Sequence, residues 1–288
     1  MVYLEKPGNY DRLRKSAVAV GKFDGLHRGH MLLIDKLKAL ATENSWENVV
    51  LTFKNRGKGN NILTDDEKRA ALERAGVGAC IVFEADDKFL QTTADEFIND
   101  ILMDKLNCAA VVAGEGFRFG RGRVGDADLL RERGIAVCEL PILPGISSET
   151  IRGLIAVGNI PGARELLGYD YYVTGTVELG KRLGGRLGFP TANITPPQEK
   201  LLPPDGVYVT RTAAEGVLYK SVTNVGVNPT VTVGGTRKVE TFILGYDGDL
   251  YGKAVKIEFV RKLRGEVRFG SVEELREQIG KDIAEAER

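Results

Sequence analysis

The chain has 288 residues in which 40 Lys and Arg are balanced by 40 Asp and Glu, so the formal net charge is zero and nucleic acid is not an expected partner. A hydrophobic content of 43% is enough to bury a core, which excludes intrinsic disorder, and the length admits one large or two ordinary domains. Three scattered cysteines, Cys80, Cys108 and Cys138, argue against a disulfide framework or a four-ligand zinc site and fit a reducing, cytoplasmic setting. The segment MVYLEKPGNYDRLRK has no apolar signal core, and no stretch approaches the roughly 18 apolar residues needed to span a bilayer. Neither export nor a membrane partner is therefore expected. Only two histidines are present, His27 and His30, which leaves little room for a zinc hydrolase or a Ser-His-Asp site.

From the start to about residue 168, short apolar runs alternate with amphipathic segments. Residues 17–20, 49–53, 79–83, 109–113 and 135–140 read as buried strands of a parallel sheet. Residues 29–44, 65–76, 93–106 and 126–134 carry apolar side chains at helical spacing. This alternation predicts a doubly wound α/β domain over 1–168. From Tyr169 the pattern changes to β-branched and aromatic runs at 171–179, 206–214, 217–226, 238–248 and 254–263, with turn signals at 203–206, 215–216, 234–235 and 247–249. These predict a small antiparallel β-barrel or sandwich over 169–288, joined directly to the first domain near 166–172. A last helix over 271–288 opens with Ser271 and, three residues on, Glu274, the pattern of a capping box, and is expected to pack on the barrel.

The segment AVAVGKFDGLHRGH places a strand, Gly21, a short loop and then His27 and His30 at the start of a helix. Helix N-termini present unpaired N–H groups to anions, but the dipole supplies only about 0.3–1 kcal/mol, so a triphosphate would need further donors, which two imidazoles provide. Gly29 between them removes a Cβ and would let a phosphate chain come near the backbone. The competing reading makes both histidines mere surface or cap residues, and a metal reading lacks a third ligand cluster nearby. Two further stretches imitate known motifs. GRGRVG (120–125) fits G-x-G-x-x-G but has arginines between its glycines, and GTVELGKR (175–182) puts Arg182 where a P-loop needs Ser or Thr; neither supports a dinucleotide site or a P-loop.

Later, GKRLGGRLGFPTANI (180–194) combines glycines with Lys181, Arg182 and Arg186, a composition able to fold over phosphates. Taken alone, a solvated hairpin is the better explanation; PTAN shifts the balance, because Thr191 and Asn193 alternate on one face and could both meet a Mg²⁺–nucleotide.

GxFDGxHxGH resembles the nucleotide-binding signature of the nucleotidyltransferase superfamily, and specifically of the FMN adenylyltransferase domain of prokaryotic bifunctional riboflavin kinase/FAD synthetases. GEGFRFGRGRVGD (114–126) and ISSETIR (146–152) are similar to two further segments of that family. The resemblance implies ATP bound by Gly21, Phe23, Asp24, His27, Gly29, His30, Ser147, Ser148 and Arg152, with His27, His30 and Arg152 stabilising phosphate charge. A serine cap and a bidentate arginine suit that task. Three positions depart from the family pattern: Gly116 replaces Asp or Asn, Glu149 replaces Thr, and Arg56 stands in place of a His-Pro step. Glu149 would bring a negative charge toward the triphosphate unless it points away or holds Mg²⁺.

PTAN followed by TNVGVNPT (223–230), VETFILGYDGDLYG (239–252) and FVRKLRGEVRF (259–269) resembles the riboflavin kinase domain over residues 170–288. That likeness implies a six-stranded antiparallel barrel and a kinase ATP site at Gly180, Lys181, Gly188, Thr191 and Asn193, the last two holding Mg²⁺. It also implies Glu240 as the base facing the ribityl 5′-hydroxyl and Arg264 in a segment closing over the flavin. Apolar sequence neighbours Val239, Phe242 and Ile243 suggest a partly buried Glu240, which would raise its basicity.

The expected function is phosphorylation of riboflavin to FMN followed by adenylylation of FMN to FAD, with ATP, riboflavin and FMN as the small-molecule partners. Two alternatives remain open: a riboflavin kinase whose first domain has lost adenylylation, and a flavin-binding regulator without catalysis. Self-association is neither required nor excluded.

Overall fold

The structure, a computed structural model, describes residues 1–5, 14–54, 60–180, 188–227 and 237–288. Packing divides the chain into two compact units, one made of Met1–Gly57 and Leu63–Ser148, the other of Lys58–Ile62 and Glu149–Arg288.

The first unit is built on six parallel strands: β1 (Val2–Leu4), β2 (Ser16–Val20), β3 (Glu47–Lys54), β4 (Ala79–Glu84), β5 (Cys108–Gly114) and β6 (Ala136–Leu140). Their order is β1-β4-β3-β2-β5-β6. All five residues of β2 are buried, which is why the strand reads as an unbroken small-apolar run. The chain moves from β2 outward through β3 and β4, then returns to lay β5 on the other side of β2. The order therefore reverses between β2 and β5, where a crevice opens at the carboxyl ends of the strands. Helices α1 (Arg28–Glu43), α2 (Asp65–Arg74), α3 (Asp87–Leu90), α4 (Ala94–Glu96) and α5 (Ala127–Glu132) connect the strands. The expected α-helix over 93–106 begins as such, with a Thr93–Glu96 capping box, but continues as a π-helix over Phe97–Lys105. β1, too short to show alternation in sequence, pairs Val2, Tyr3 and Leu4 with Ala79, Cys80 and Ile81.

The second unit holds β7 (Tyr172–Thr176), β8 (Thr191–Ile194), β9 (Gly206–Ala214), β10 (Val217–Val227), β11 (Arg237–Ile243) and β12 (Ala254–Arg264). They form an antiparallel sheet in the order β7-β12-β9-β10-β11-β8. Just beyond β7, the Glu178 N–H donates to the Asn193 carbonyl of β8 at 2.8 Å, so the sheet curls until its outer strands meet. The expected α/β domain and the antiparallel barrel with its C-terminal helix are both present. The turn signal at 234–235 lies outside the described residues.

Two helices ahead of the barrel, α6 (Ser148–Ala156) and α7 (Ile160–Leu167), place Ile151, Ile155, Ile160, Ala163 and Leu167 in the same core as Tyr171, Tyr208, Val239 and Phe259. Residues 60–62 join them: Asn61 bridges to Lys200, and Ile62 is fully buried in that core. The buried Lys200 ammonium donates to the Ile62 carbonyl at 2.7 Å and lies 4.8 Å from the centre of the Tyr171 ring. The last helix, α8 (Val272–Glu287), is tied down by Asp282, which pairs with Arg264 of β12 at 2.7 Å. Its expected capping box is shifted. Ser271 Oγ accepts from the Glu274 N–H at 3.2 Å, but the Glu274 carboxylate reaches back to the Gly270 N–H instead.

Inside the barrel lies a chain of hydroxyls from three strands, Thr210 and Thr212 of β9, Ser221 and Thr223 of β10, and Thr241 of β11, all fully buried. Thr210 bonds Ser221 and Thr223 at 2.7 Å each, and Thr223 donates to Thr241 at 2.8 Å. These hydroxyls satisfy one another in the dry interior, and a one-residue slip of any of these strands would turn them, with the apolar residues of the same face, outward. Thr210→Val, which keeps the shape and removes two bonds, is expected to lower the unfolding free energy by about 1–3 kcal/mol. Urea denaturation followed by far-ultraviolet circular dichroism checks this.

Candidate functional site

In the first unit, β2 ends at the crevice and the chain turns through a loop whose Phe23, Gly25 and Leu26 have φ of 48°, 81° and 38°. Phe23 is fully buried, and the Gly21 N–H donates to the Leu51 carbonyl at 3.1 Å. Asp24 works on the loop itself, its carboxylate accepting from the Leu63 N–H at 3.4 Å while its carbonyl accepts from the Ser148 hydroxyl at 2.8 Å.

His27 is the N-cap of α1, so the cap reading describes this residue correctly in part. Its Nδ1 accepts from the His30 N–H at 3.4 Å, and the two rings stack at 3.7 Å with 18° between planes. Phe23 lies against His30 at 5.1 Å. A Cβ on Gly29 would stand 3.3 Å from the His27 ring, so the space the glycine leaves is taken up largely by that imidazole. Burial pushes His27 down to about 4 and His30, which also feels His27, down to about 3. Both imidazoles are neutral at pH 7 and act as hydrogen-bonding groups rather than cations. His30 Nδ1 is buried with no hydrogen-bond partner among the described residues.

At the switch point between β2 and β5 lies a cavity of about 450 Å³. Gly21 and Lys22 border it from β2, Gly114–Gly116 from β5, and Phe53, Phe89, Phe97, Phe117 and Phe119 supply aromatic walls. Arg118 and Arg123 also line it, the former paired with Asp126 at 2.5 Å. The sequence reading missed these phenylalanines because they come from four separate segments; only GFRF hinted at them. Gly116 has φ +72° at this rim, a conformation that Asn and Asp also tolerate.

Ser147 and Ser148 stand at the start of α6, and Arg152, half-buried, lies one turn further. Glu149 is exposed in the first turn of that helix, where a negative charge is favourable to the helix dipole. Arg152 and Glu149 belong to the second unit, whereas His27, His30 and Ser148 belong to the first. Arg56 lies outside the described residues.

In the second unit, register does the assembling. Glu240 of β11 is directly opposite Asn193 of β8 on one side and Asn224 of β10 on the other, and Phe242 is opposite Thr191. Val239, Thr241 and Ile243 point into the barrel, so Glu240 faces outward and is exposed, not half-buried. Its apolar neighbours in sequence lie on the opposite face, or, as with Phe242, pack on Phe189 at 5.6 Å. The Asn193 amide donates to the Thr191 carbonyl at 3.1 Å and to its hydroxyl at 3.3 Å, fixing the two oxygen-bearing side chains together. A Cβ on Gly180 would come within 2.5 Å of that amide nitrogen, so only glycine permits the approach. A smaller cavity of about 110 Å³ opens beside Thr191, walled by Pro190, Ile243, Tyr246, Leu250 and Tyr251. Gly188 borders the described part of the glycine-rich loop; Lys181, Arg182 and Arg186 lie outside the described residues, as do residues 228–230. Arg264 is engaged by the Asp282 carboxylate of α8, with Nη2 at 2.7 Å and Nε at 3.1 Å. Among the described residues, no group of three His, Cys, Asp or Glu is placed to hold a metal ion.

A family model described as FAD synthetase matches residues 10–150, and one described as riboflavin kinase matches residues 167–288. The bifunctional riboflavin kinase/FMN adenylyltransferase of Pseudomonas fluorescens is 32% identical over 288 residues, covering 95% of this chain and 92% of that protein. The protein of that description from Escherichia coli K12 is 33% identical, covering 92% and 90%. A solved structure from Streptococcus pneumoniae described as a macrolide-efflux protein superposes with a TM-score of 0.89 at 28% identity, covering 100% of this chain and 98% of that one. Among the described residues here, no helix is long and apolar enough to cross a membrane. With both family models matched in order along one chain, and relatives similar across nearly their whole length, the protein belongs to the bifunctional riboflavin kinase/FMN adenylyltransferase family.

Proposed function

We propose that this protein makes FMN and then FAD: the second unit transfers the γ-phosphoryl group of ATP to riboflavin, and the first transfers AMP from a second ATP to the FMN phosphate, releasing pyrophosphate. The observation that carries the reading is the row of Asn193, Glu240 and Asn224 across β8, β11 and β10, with Thr191 on the same face. Three free cysteines favour placing the enzyme in the cytoplasm.

For the kinase reaction, the 5′-hydroxyl of riboflavin attacks the γ-phosphorus, its proton passes to the Glu240 carboxylate, and ADP departs. A carboxylate at the open face of the barrel can accept that proton without itself bonding to phosphorus. Thr191 and Asn193 offer oxygen donors of the kind Mg²⁺ takes, and two such groups suit an ion that keeps waters and substrate phosphates as its other ligands. Bound there, Mg²⁺ would neutralise phosphate charge. The cavity beside Thr191, with Tyr246 and Tyr251 in its wall, supports a site for the adenine end of the nucleotide. Arg264, held by Asp282, would act on the flavin by anchoring the segment that follows it.

For the adenylyl transfer, the FMN phosphate is itself the nucleophile, so positioning and charge stabilisation suffice. Phosphates at the N-terminus of α1 meet backbone N–H groups and the two histidines. His27, whose Nδ1 already accepts a bond, carries its proton on Nε2 and donates from there. The unpartnered His30 Nδ1 supports a second ligand contact. Gly21, Phe23, Asp24, Gly29, Ser147 and Ser148 shape the pocket. The phenylalanine-lined cavity suits the flat apolar isoalloxazine, with Lys22 and Arg123 at its edge.

Incubation with riboflavin, ATP and Mg²⁺, followed by chromatographic separation of flavins, tests the whole reading. FAD is the expected product. FMN alone would limit the protein to kinase activity, and unchanged riboflavin would overturn the reading. Glu240→Gln is expected to lower kcat for riboflavin phosphorylation by about 10²–10⁴-fold while FMN adenylylation persists. Gly180→Ala, which forces a methyl into the Asn193 amide, should raise the KM for ATP in the kinase reaction by about tenfold, read from initial rates. The histidine burial predicts a pH effect. The folded pKa values are depressed to about 4 and about 3, so below pH 6.5 the unfolded chain binds protons that the folded one refuses. Stability of the first unit should fall from pH 6.5 toward pH 4, and the His27→Gln/His30→Gln variant should lose part of that slope. The chain's only tryptophan, Trp46, lies in this unit and reports its urea unfolding by fluorescence.

A further inference from the structure

The kinase reading assigns roles to Thr191, Asn193 and Glu240 but none to the third member of the row. Asn224 stands directly across from Glu240 on β10, as Asn193 does on β8. The inward residues of these strands, Thr223 and Val225 on β10, Val239 and Thr241 on β11 and Ala192 and Ile194 on β8, are buried, so the three intervening side chains share the outer face. Side chains directly opposite each other are separated by about 4.5–5.5 Å at Cβ, so the Asn224 amide falls within reach of whatever Glu240 touches. Beneath the row, Thr223 and Thr241, the chain neighbours of Asn224 and Glu240, hydrogen-bond to each other at 2.8 Å, which pins β10 to β11 at this point.

The row has a direction. At its β8 end lie the Thr191 and Asn193 oxygens, which belong to the nucleotide in the reading above, and Thr191 also lines the cavity walled by Tyr246 and Tyr251. The base occupies the middle. An alcohol that loses its proton to Glu240 while facing a γ-phosphate over β8 must extend its remaining atoms toward β10, because the two substrates cannot occupy the same side of the carboxylate. The atoms next to the reacting hydroxyl of riboflavin are those of a polyol chain, and a carboxamide carries both donor and acceptor for such hydroxyls.

We propose, on the basis of the kinase reading above, that Asn224 is a substrate-specificity residue of the kinase site, hydrogen-bonding the ribityl hydroxyls of riboflavin and thereby aligning the 5′-hydroxyl between Glu240 and the phosphate. A site that bonds a hydroxyl discriminates against an analogue lacking it, and that discrimination weakens when the site's own partner is removed.

The test measures riboflavin phosphorylation by the full chain with Asn224→Ala and the isosteric Asn224→Asp, both checked for unchanged thermal midpoint. Riboflavin is compared with an analogue deoxygenated along the ribityl chain but keeping its 5′-hydroxyl. Asn224→Ala is expected to raise the KM for riboflavin about tenfold, to leave the KM for ATP within about twofold, and to shrink the preference for riboflavin over the deoxy analogue by about tenfold. Asn224→Asp, which keeps the shape but adds a charge beside Glu240, should be impaired at least as much. Unchanged riboflavin KM and preference in Asn224→Ala would overturn the assignment, as would an equal rise in the KM for both substrates. Glu240→Gln, run alongside, separates the two levels: if it keeps wild-type turnover the kinase reading falls, whereas an inactive Glu240→Gln with a normal Asn224→Ala removes only the role of Asn224.

Discussion

The second unit depends on one constraint, the register of β11 between β8 and β10. Every group of the proposed kinase chemistry reaches the same face because Glu240 is opposite Asn193 and Asn224 and not displaced by one or two residues. A displacement of one would turn Glu240 into the core and Val239 out, which the hydrophobic effect forbids at a cost of about 1.5–3 kcal/mol for an exposed Val alone. Within the core, the hydroxyls of Thr210, Thr212, Ser221, Thr223 and Thr241 bond one another across β9, β10 and β11 and tie these strands together as they are now aligned. Buried polar groups in a barrel core contribute little net stability when satisfied, yet they penalise every alternative in which they are not.

The first unit arrives at its proposed phosphate site by a different route. Here burial, not pairing, sets the chemistry. Packing His27 and His30 face to face against Phe23 removes them from water and keeps them uncharged, so the site presents directed donors at the positive end of a helix without an added positive charge. The glycine between them makes room for the stacked rings, a role its position in the motif does not disclose.

Much of this could be read from the sequence, and the omissions have physical causes. The apolar runs at 17–20, 49–53 and 79–83 are strands because both faces of a central parallel strand are buried, leaving a composition nothing else mimics. Thr64 with Glu67 and Thr93 with Glu96 form capping boxes in the structure that the reading of the sequence did not single out. The motifs GxFDGxHxGH and PTAN were legible because their spacing is local. What failed was anything that depends on which face a residue takes or on distant partners. Glu240 looked half-buried because its sequence neighbours are apolar, but in a strand those neighbours point the other way. The phenylalanine cavity is assembled from β3, α3, the π-helix and the loop after β5, and Asn224 acquires meaning only from its cross-strand partner. The last helix showed its N-cap serine correctly, while the carboxylate three residues on chose Gly270 instead.

The short segment around Asn61 and Ile62, pinned by the Lys200 ammonium, gives the chain an unusual path. The polypeptide leaves the first unit after Gly57, contributes a few residues to the second, goes back, and crosses for good after Ser148. The two units are thus threaded through one another in sequence and are not strung like beads. A single proteolytic cut after Ser148 would leave the N-terminal fragment holding Ile62 of the second unit's core, and a gene fusion or exchange that treats the halves as separable cassettes would have to carry Ile62 and Lys200 together.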